Sequence, residues 1–217
     1  MGLEFVRQYA ADGWQVLACA RAPSASGALA DLARAGASRV AVHALDVTDH
    51  AAIDELAATL RDTPIDVLLN VAGVLVSTGF GQTNYDVWMQ SIRVNLFGPM
   101  KMSEAFVEHV AASGQRKIVI LTSILGSIAA NAAGGMYDYR STKAGVNAIT
   151  KSMSLDLGRR EIIAVPIHPG WVRTDMGGPR AEIDPQASVA GMRRVIAGLA
   201  KAQSGKFLNY RGEELPW

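Results

Sequence analysis

A doubly wound α/β fold on a mostly parallel sheet is predicted by three observations. Short runs rich in Val, Ile and Leu alternate with longer stretches whose apolar residues fall three and four apart. The short runs are apolar on both faces, as in strands covered by helices on each side of a sheet. Polar or turn-forming residues, Arg21, Asp46, Asn70, Ser123 and Pro169-Gly170, follow them directly. In such a sheet ligands bind beyond the carboxyl ends of the strands, where strand order reverses.

The elements follow in order. Gly2-Leu3-Glu4-Phe5 opens a helical pattern over 2–11, and the run from Trp14 to Ala20 is the first strand, 14–20. A helix over 26–35, a strand over 38–44, a helix over 48–61 and a strand over 65–70 come next. A long helix lies within 84–112, ahead of the apolar strand 117–122. A helix over 137–158, a strand over 161–168, a helix over 187–200 and a short strand near 206–209 complete the order. Between the last two long elements, Gly177, Gly178, Pro179 and Pro185 mark an irregular loop from Gly170 to Ala187, read as a substrate lid.

With 217 residues, 49% of them apolar, and no repeat, low-complexity tract or linker, the chain is expected to form a single domain over 1–217. The formal charge of +1 comes from 21 basic and 20 acidic residues that are interspersed, so no field is available for nucleic acid or an anionic membrane. A small, nearly neutral partner fits better. Cys19 is the single cysteine, which excludes an internal disulfide and suits a reducing compartment; it is expected as a buried strand residue. The start lacks a signal peptide's apolar core, and the most apolar stretch, Val67 to Val76, is too short to span a bilayer. A cytoplasmic protein is expected.

Tyr139 and Lys143 stand four apart in a helical stretch, with Ser123 at the end of a strand. That spacing puts a phenol and an ammonium on one helical face, as needed to move a proton to or from a carbonyl oxygen. A phenol titrates near 10, so base chemistry near neutrality requires a shift of about three units, roughly 4 kcal/mol. Lys143 offers the positive charge, and Ser123 a hydrogen bond to the substrate oxygen. The alternative is a chance helix pair.

Further motifs bear on that choice: Asn70-Val71-Ala72-Gly73 after a strand, Arg93-Val94-Asn95-Leu96 in the long helix, Leu121 to Ser127 around Ser123, Tyr139 to Lys143, and His168-Pro169-Gly170-Trp171-Val172. In this order they resemble the short-chain dehydrogenase/reductase family across nearly the whole chain, which implies a Rossmann-like fold. Gly134-Gly135-Met136-Tyr137-Asp138-Tyr139-Arg140 and the ending Asn209-Tyr210 to Pro216-Trp217 look most like its C-factor and sniffer-type carbonyl reductases.

The resemblance implies NAD(P)-dependent hydride transfer between a small carbonyl substrate and its alcohol. By it Tyr139 is the acid-base, Lys143 lowers its pKa and binds the nicotinamide ribose, Ser123 orients the carbonyl, and Asn95 holds a relay water at an irregularity in its helix. Asn70, Val71, Ala72 and Gly73 line the adenosine side and Asp46 with Val47 meets the adenine. Pro169, Gly170, Trp171, Val172 and Thr174 meet the carboxamide. Read singly, Asn70 closes a turn, Asp46 with Thr48 caps a helix and Pro169-Gly170 punctuates a loop. After the strand ending at Ala20 comes Arg21, with no acid until Asp31, which favours NADP(H) over NAD(H) against the plainer reading of an exposed arginine.

Gly2 matches the last glycine of the family's glycine-rich turn, so the first strand and most of that turn are missing from the expected order, about a dozen residues. Three origins compete: a start codon read too late, a shortened clone, and a natural short form without cofactor binding. The 217-residue chain is expected to bind NADPH poorly or not at all, and a chain extended upstream to bind it and reduce carbonyls. The rival to an enzyme is a non-enzymatic signalling or interaction protein on a degenerate reductase scaffold. Ser123 with His43, His50, His109 or His168 lacks a hydrolase's nucleophile elbow, and no metal-ligand spacing is present. His109 is read on a solvated helix face. The long helices suit a homodimer or tetramer, with Trp88, Phe106 and Met153 as core or contact residues, and Trp171, Met136, Leu125 and Met176 as an apolar pocket under the lid.

Overall fold

A computed structural model describes residues 1–23, 27–35 and 39–217. The first residues of the helix expected over 26–35 and of the strand expected over 38–44 lie outside them. The order is α1 (Gly2–Ala11), β1 (Val16–Ala20), α2 (Gly27–Ala35), β2 (Val40–Ala44), α3 (His50–Thr59), β3 (Val67–Asn70), α4 (Tyr85–Ile92), α5 (Gly98–Ala111), β4 (Lys117–Leu121), α6 (Tyr137–Asp156), β5 (Ile163–His168), α7 (Pro185–Gly198) and β6 (Leu208–Asn209). Every ladder between these strands is parallel.

The strands form two sheets, β1-β2 and β3-β4-β5-β6, and no ladder joins β1 to β3 among the described residues. α1 spans the two. Phe5 and Tyr9, four apart, pack with β4, β5 and α7, whereas Leu3, Val6 and Ala10 pack with β1, β2 and α2. In β4 the strand alternation divides the core: Ile118 and Ile120 face α3, α5 and α6, and Val119 and Leu121 face α1 and α7. Helices thus cover both faces of the larger sheet, and its carboxyl edge is left to loops.

The expected long helix is continuous but not uniform. Asn84 caps α4 by accepting from the Asp86 and Val87 N–H groups at 3.0 and 3.1 Å. Residues Arg93–Phe97 then form a π-helical turn before α5. Pro99 has no N–H, so the carbonyl four residues earlier, that of Asn95, lacks its α-helical donor. The irregularity expected at Asn95 is therefore present.

Candidate active site

α6 begins after Gly134, Gly135 and Met136, at φ 64°, 64° and 51°. The left-handed Met136 has its N–H tied to the Thr78 carbonyl at 3.1 Å, and its own carbonyl accepts from Arg140 at 2.8 Å. The first two turns of α6 carry Tyr139 and Lys143, 6% and 5% exposed. Lys143 Nζ donates to the Leu121 carbonyl at the end of β4, 2.9 Å away, and lies 5.7 Å from the centre of the Tyr139 ring. Ser123 follows β4 in extended conformation, and its Oγ accepts the Leu125 N–H at 3.1 Å. This leaves the hydroxyl hydrogen free to donate.

Gly126 makes the approach of these two elements possible. A Cβ there would stand 2.7 Å from the carbonyl carbon of Lys143 and 2.8 Å from its oxygen. Behind this contact Thr122 Oγ1 donates to Asn147 Oδ1 at 2.6 Å, another buried tie between β4 and α6.

Burial raises the Tyr139 pKa above its ordinary value of 10, against a smaller opposing pull from hydrogen bonding with Ser123. Burial also lowers Lys143 to about 8. The expected lowering of the phenol by Lys143 is therefore not what this arrangement gives. Desolvation of the phenolate dominates, and the ammonium is directed at the Leu121 carbonyl.

Asn95 is 1% exposed, and its side chain makes three hydrogen bonds. Oδ1 accepts the Val74 N–H at 2.8 Å, while Nδ2 donates to the Val74 carbonyl at 2.8 Å and to Thr142 Oγ1 at 3.1 Å. The amide fastens the segment after β3 onto α6. In that segment a Cβ at Gly73 would lie 3.4 Å from Asn95 Oδ1 and 3.6 Å from Lys143 Nζ. Asn70 is buried with Nδ2 lacking a partner among the described residues, Val71 is half-buried and Ala72 exposed.

The remaining candidates fall into three places. Gly2, at the start of α1, would place a Cβ 3.9 Å from Val71 Cγ1, which sets that helix end beside the Asn70–Gly73 segment. Arg21 is exposed at the end of β1, and Asp46 lies within reach of its charge. The Asp46 carboxyl is held below the usual range, chiefly by the Thr48 N–H and then by the Thr48 hydroxyl, with Arg21 a smaller contributor. Asp46 thus closes a turn, and the cap of α3 is Asp49. Val47 packs against Gly98.

Pro169 and Gly170 leave β5, with Gly170 at φ 85° and a Cβ there set 2.4 Å from Ile183 Cδ1. Trp171 Nε1 donates to the Gly177 carbonyl at 2.9 Å, Thr174 Oγ1 accepts from Gly177 at 3.1 Å, and Val172 is buried and bridged to Ile183. Leu125 and Met136 are half-buried, but Trp171 and Met176 are 50% and 45% exposed, so the expected apolar pocket stands open. A cavity of about 540 Å³ lies elsewhere, lined by Arg116, Arg159, Arg160 and Lys201 near the start of β4.

The arrangement suits the nicotinamide half of a dinucleotide. Lys143, with Gly73 beside it, is the group here that could hold it.

Several expectations are corrected. His109 is buried, not solvated: Nε2 lies 3.1 Å from the Ala57 carbonyl and the ring packs on Phe106. Cys19 is exposed, because Val16, Ala18 and Ala20 take the face of β1 that meets α1 and α2. Phe106 and Met153 belong to the core, whereas Trp88 is half-buried with Nε1 donating to Ser141 Oγ at 2.9 Å. Sequence reasoning missed Asp138 and Ser91, each 1% exposed, because a carboxylate at a helix start reads as a solvated charge.

Residues 1–184 match the short chain dehydrogenase family. The C-signal protein of Myxococcus xanthus is 42% identical over 155 residues, 71% of this chain and 93% of that protein. The carbonyl reductase Sniffer of D. melanogaster superposes with a TM-score of 0.92 at 32% identity, over 100% of this chain and 94% of that one. An NADPH-bound carbonyl reductase from chicken fatty liver gives 0.91 at 28% identity, over the same shares of the two chains. With its motifs on the edge where the sheet presents them, the chain belongs to the short-chain dehydrogenase/reductase family of oxidoreductases.

Proposed function

We propose that the protein interconverts a carbonyl and an alcohol by NADP(H)-dependent hydride transfer, with Tyr139 as the acid-base. The observation that carries this reading is the meeting of Tyr139, Lys143 and Ser123 beside Gly73. The nicotinamide supplies or takes the hydride. Ser123 donates to the substrate oxygen and fixes it beside the phenol. Tyr139 gives its proton to that oxygen in the direction of reduction, and its raised pKa keeps it protonated at neutral pH. Lys143 holds the ribose and lends its charge while protonated, and Asn95 keeps the Gly73 segment in place.

NADP(H) is favoured over NAD(H) by the exposed cation Arg21 after β1, and the chicken carbonyl reductase binds NADPH. An apolar aldehyde or ketone suits the mouth formed by Leu125, Met136, Trp171 and Met176. Exposed Tyr85, Met89 and Phe97 on the 85–97 helix support self-association as a dimer or tetramer. The protein works as one domain over 1–217, in the cytoplasm.

The test is NADPH oxidation with simple aldehydes, quinones and diketones, on this chain and on one extended upstream. Turnover that is lost in Tyr139→Phe is expected. A chain that binds NADPH by calorimetry yet reduces none of these carbonyls would favour the non-enzymatic reading.

A further inference from the structure

Residues 207–217 form a strap that reaches back to the turn carrying Ser123. Phe207 is wholly buried, and β6 after it pairs with β5. The chain then doubles back: the Asn209 N–H donates to the Glu213 carbonyl at 2.9 Å, the Leu215 N–H donates to the Phe207 carbonyl at 2.7 Å, and Leu208 and Glu214 form an antiparallel bridge. This returning arm sets the Trp217 ring against that of Phe207, with centres 5.7 Å apart. Pro216, with its fixed φ, narrows the paths by which the arm can reach that position.

The main-chain oxygen of Trp217 accepts two hydrogen bonds from the segment between Ser123 and Tyr139, from the Ala129 N–H at 2.8 Å and from Ser127 Oγ at 3.1 Å. Ser127 is 2% exposed and closes the short turn Ile124–Gly126, its N–H donating to the Ile124 carbonyl at 2.9 Å. Its Oγ also accepts the Ala130 N–H at 3.0 Å. Within the turn the Gly126 N–H donates to the Ser123 carbonyl at 2.9 Å. The turn is thus held at two points, by α6 where Gly126 meets the Lys143 backbone and by Trp217 at Ser127.

We propose that Trp217 is a positioning residue for Ser123, bracing this turn so that the serine hydroxyl stays fixed beside the Tyr139 phenol; the role rests on the reductase reading above. Ser123 has one hydroxyl proton to give, and the substrate oxygen is placed only as well as that hydroxyl is. The turn is a single piece of 3₁₀ structure, whose poorer hydrogen-bond geometry resists a shift weakly. Without its acceptor the buried Ser127 hydroxyl would seek another, and the turn would follow it. The Trp217 ring is 41% exposed, so its removal costs the fold less than that of a core residue, and an effect on turnover can be read apart from stability.

The experiment compares wild type, Trp217→Ala and Trp217→Phe, using whichever of the aldehydes, quinones and diketones above is reduced fastest. Loss of the ring frees the arm from Phe207, and kcat is expected to fall roughly tenfold with the KM for NADPH unchanged. Phenylalanine keeps an aromatic ring on Phe207 and is expected to bring kcat back to within about twofold of wild type. A wild-type kcat in Trp217→Ala, a change confined to the KM for NADPH, or equal losses in the two variants would overturn the proposal. Should Trp217→Ala not fold, Ser127→Ala removes one bond of the brace and leaves the ring; a lowered kcat at unchanged KM for NADPH supports the brace, and wild-type kinetics overturn it. Amide hydrogen exchange tests the brace apart from activity. Ala129 is an exposed residue, yet its N–H is expected to exchange slowly in the wild type and roughly tenfold faster in Trp217→Ala. Fast exchange in the wild type overturns the brace. If the wild type reduces no carbonyl, the reductase reading fails and the catalytic role falls with it, while the Ala129 amide still decides whether Trp217 holds the turn.

Discussion

The side chain of Asn95 brackets the backbone of Val74, accepting from its N–H and donating to its carbonyl, each at 2.8 Å. One amide in a π-helical turn thereby completes the hydrogen bonding of a loop residue that no strand pairs. The same Nδ2 reaches Thr142 on α6, so three separate segments share one side chain.

Asn95→Leu keeps the volume and removes every one of these bonds. The Val74 groups then lose both partners in a half-buried setting, and the expected loss of stability is about 2–4 kcal/mol. Chemical denaturation checks the magnitude. Turnover should fall further than stability explains, because Gly73 is no longer held against Lys143. A variant as stable as the wild type would contradict this account of the bracket.

Lys143→Met is expected to abolish turnover and yet stabilise the fold at pH 7. The amine's pKa drops to about 8 in the folded chain from an ordinary 10.5, so burial disfavours its charged form. Between about 8 and 10.5 the unfolded chain binds the extra proton, and stability from this group rises with pH across that window. Methionine fills the space without the charge, and a gain of about 1–3 kcal/mol at neutral pH is anticipated, less the bond to the Leu121 carbonyl. Melting curves of both proteins from pH 7 to 10.5 should converge as pH rises.

Much of this arrangement was legible in the chain. The apolar runs placed each strand to within about two residues, and the expected helix over 2–11 matches α1 residue for residue. Tyr139 and Lys143 could be paired from helical spacing alone, and Ser123 joined them from the end of a strand. What could not be read was burial and partnership. Asp138 and His109 look like solvated helix positions until α4 and α3 cover them. The pKa of Tyr139 depends on how much water reaches it, a property of the packed α6 and β4 and not of the Tyr-to-Lys spacing.

Gly126→Ala tests how closely β4 and α6 must approach. The added methyl would press on the Lys143 backbone at 2.7 Å, and backbone in mid-helix does not yield as a flexible side chain does. Overpacking of this kind costs about 1–3 kcal/mol. The shift falls on the turn that carries Lys143, so kcat should drop well beyond the stability change, with circular dichroism unaltered. A variant with wild-type kcat would show that the contact is slack.

His168 sets an acid limit on the fold. Burial lowers its pKa to about 4 from 6.5, and Nδ1 has no partner among the described residues. A histidine held neutral in the folded chain loses ground as pH falls, because the unfolded chain takes up the proton first. Its contribution is complete above 6.5 and declines down to about 4, where the folded form also protonates. His168→Gln cannot titrate, so its melting temperature should fall less steeply than that of the wild type between these limits, while the two differ little in shape above pH 7. Parallel melting profiles from pH 4 to 6.5 would place the acid sensitivity on other groups and leave the neutral, buried imidazole without support.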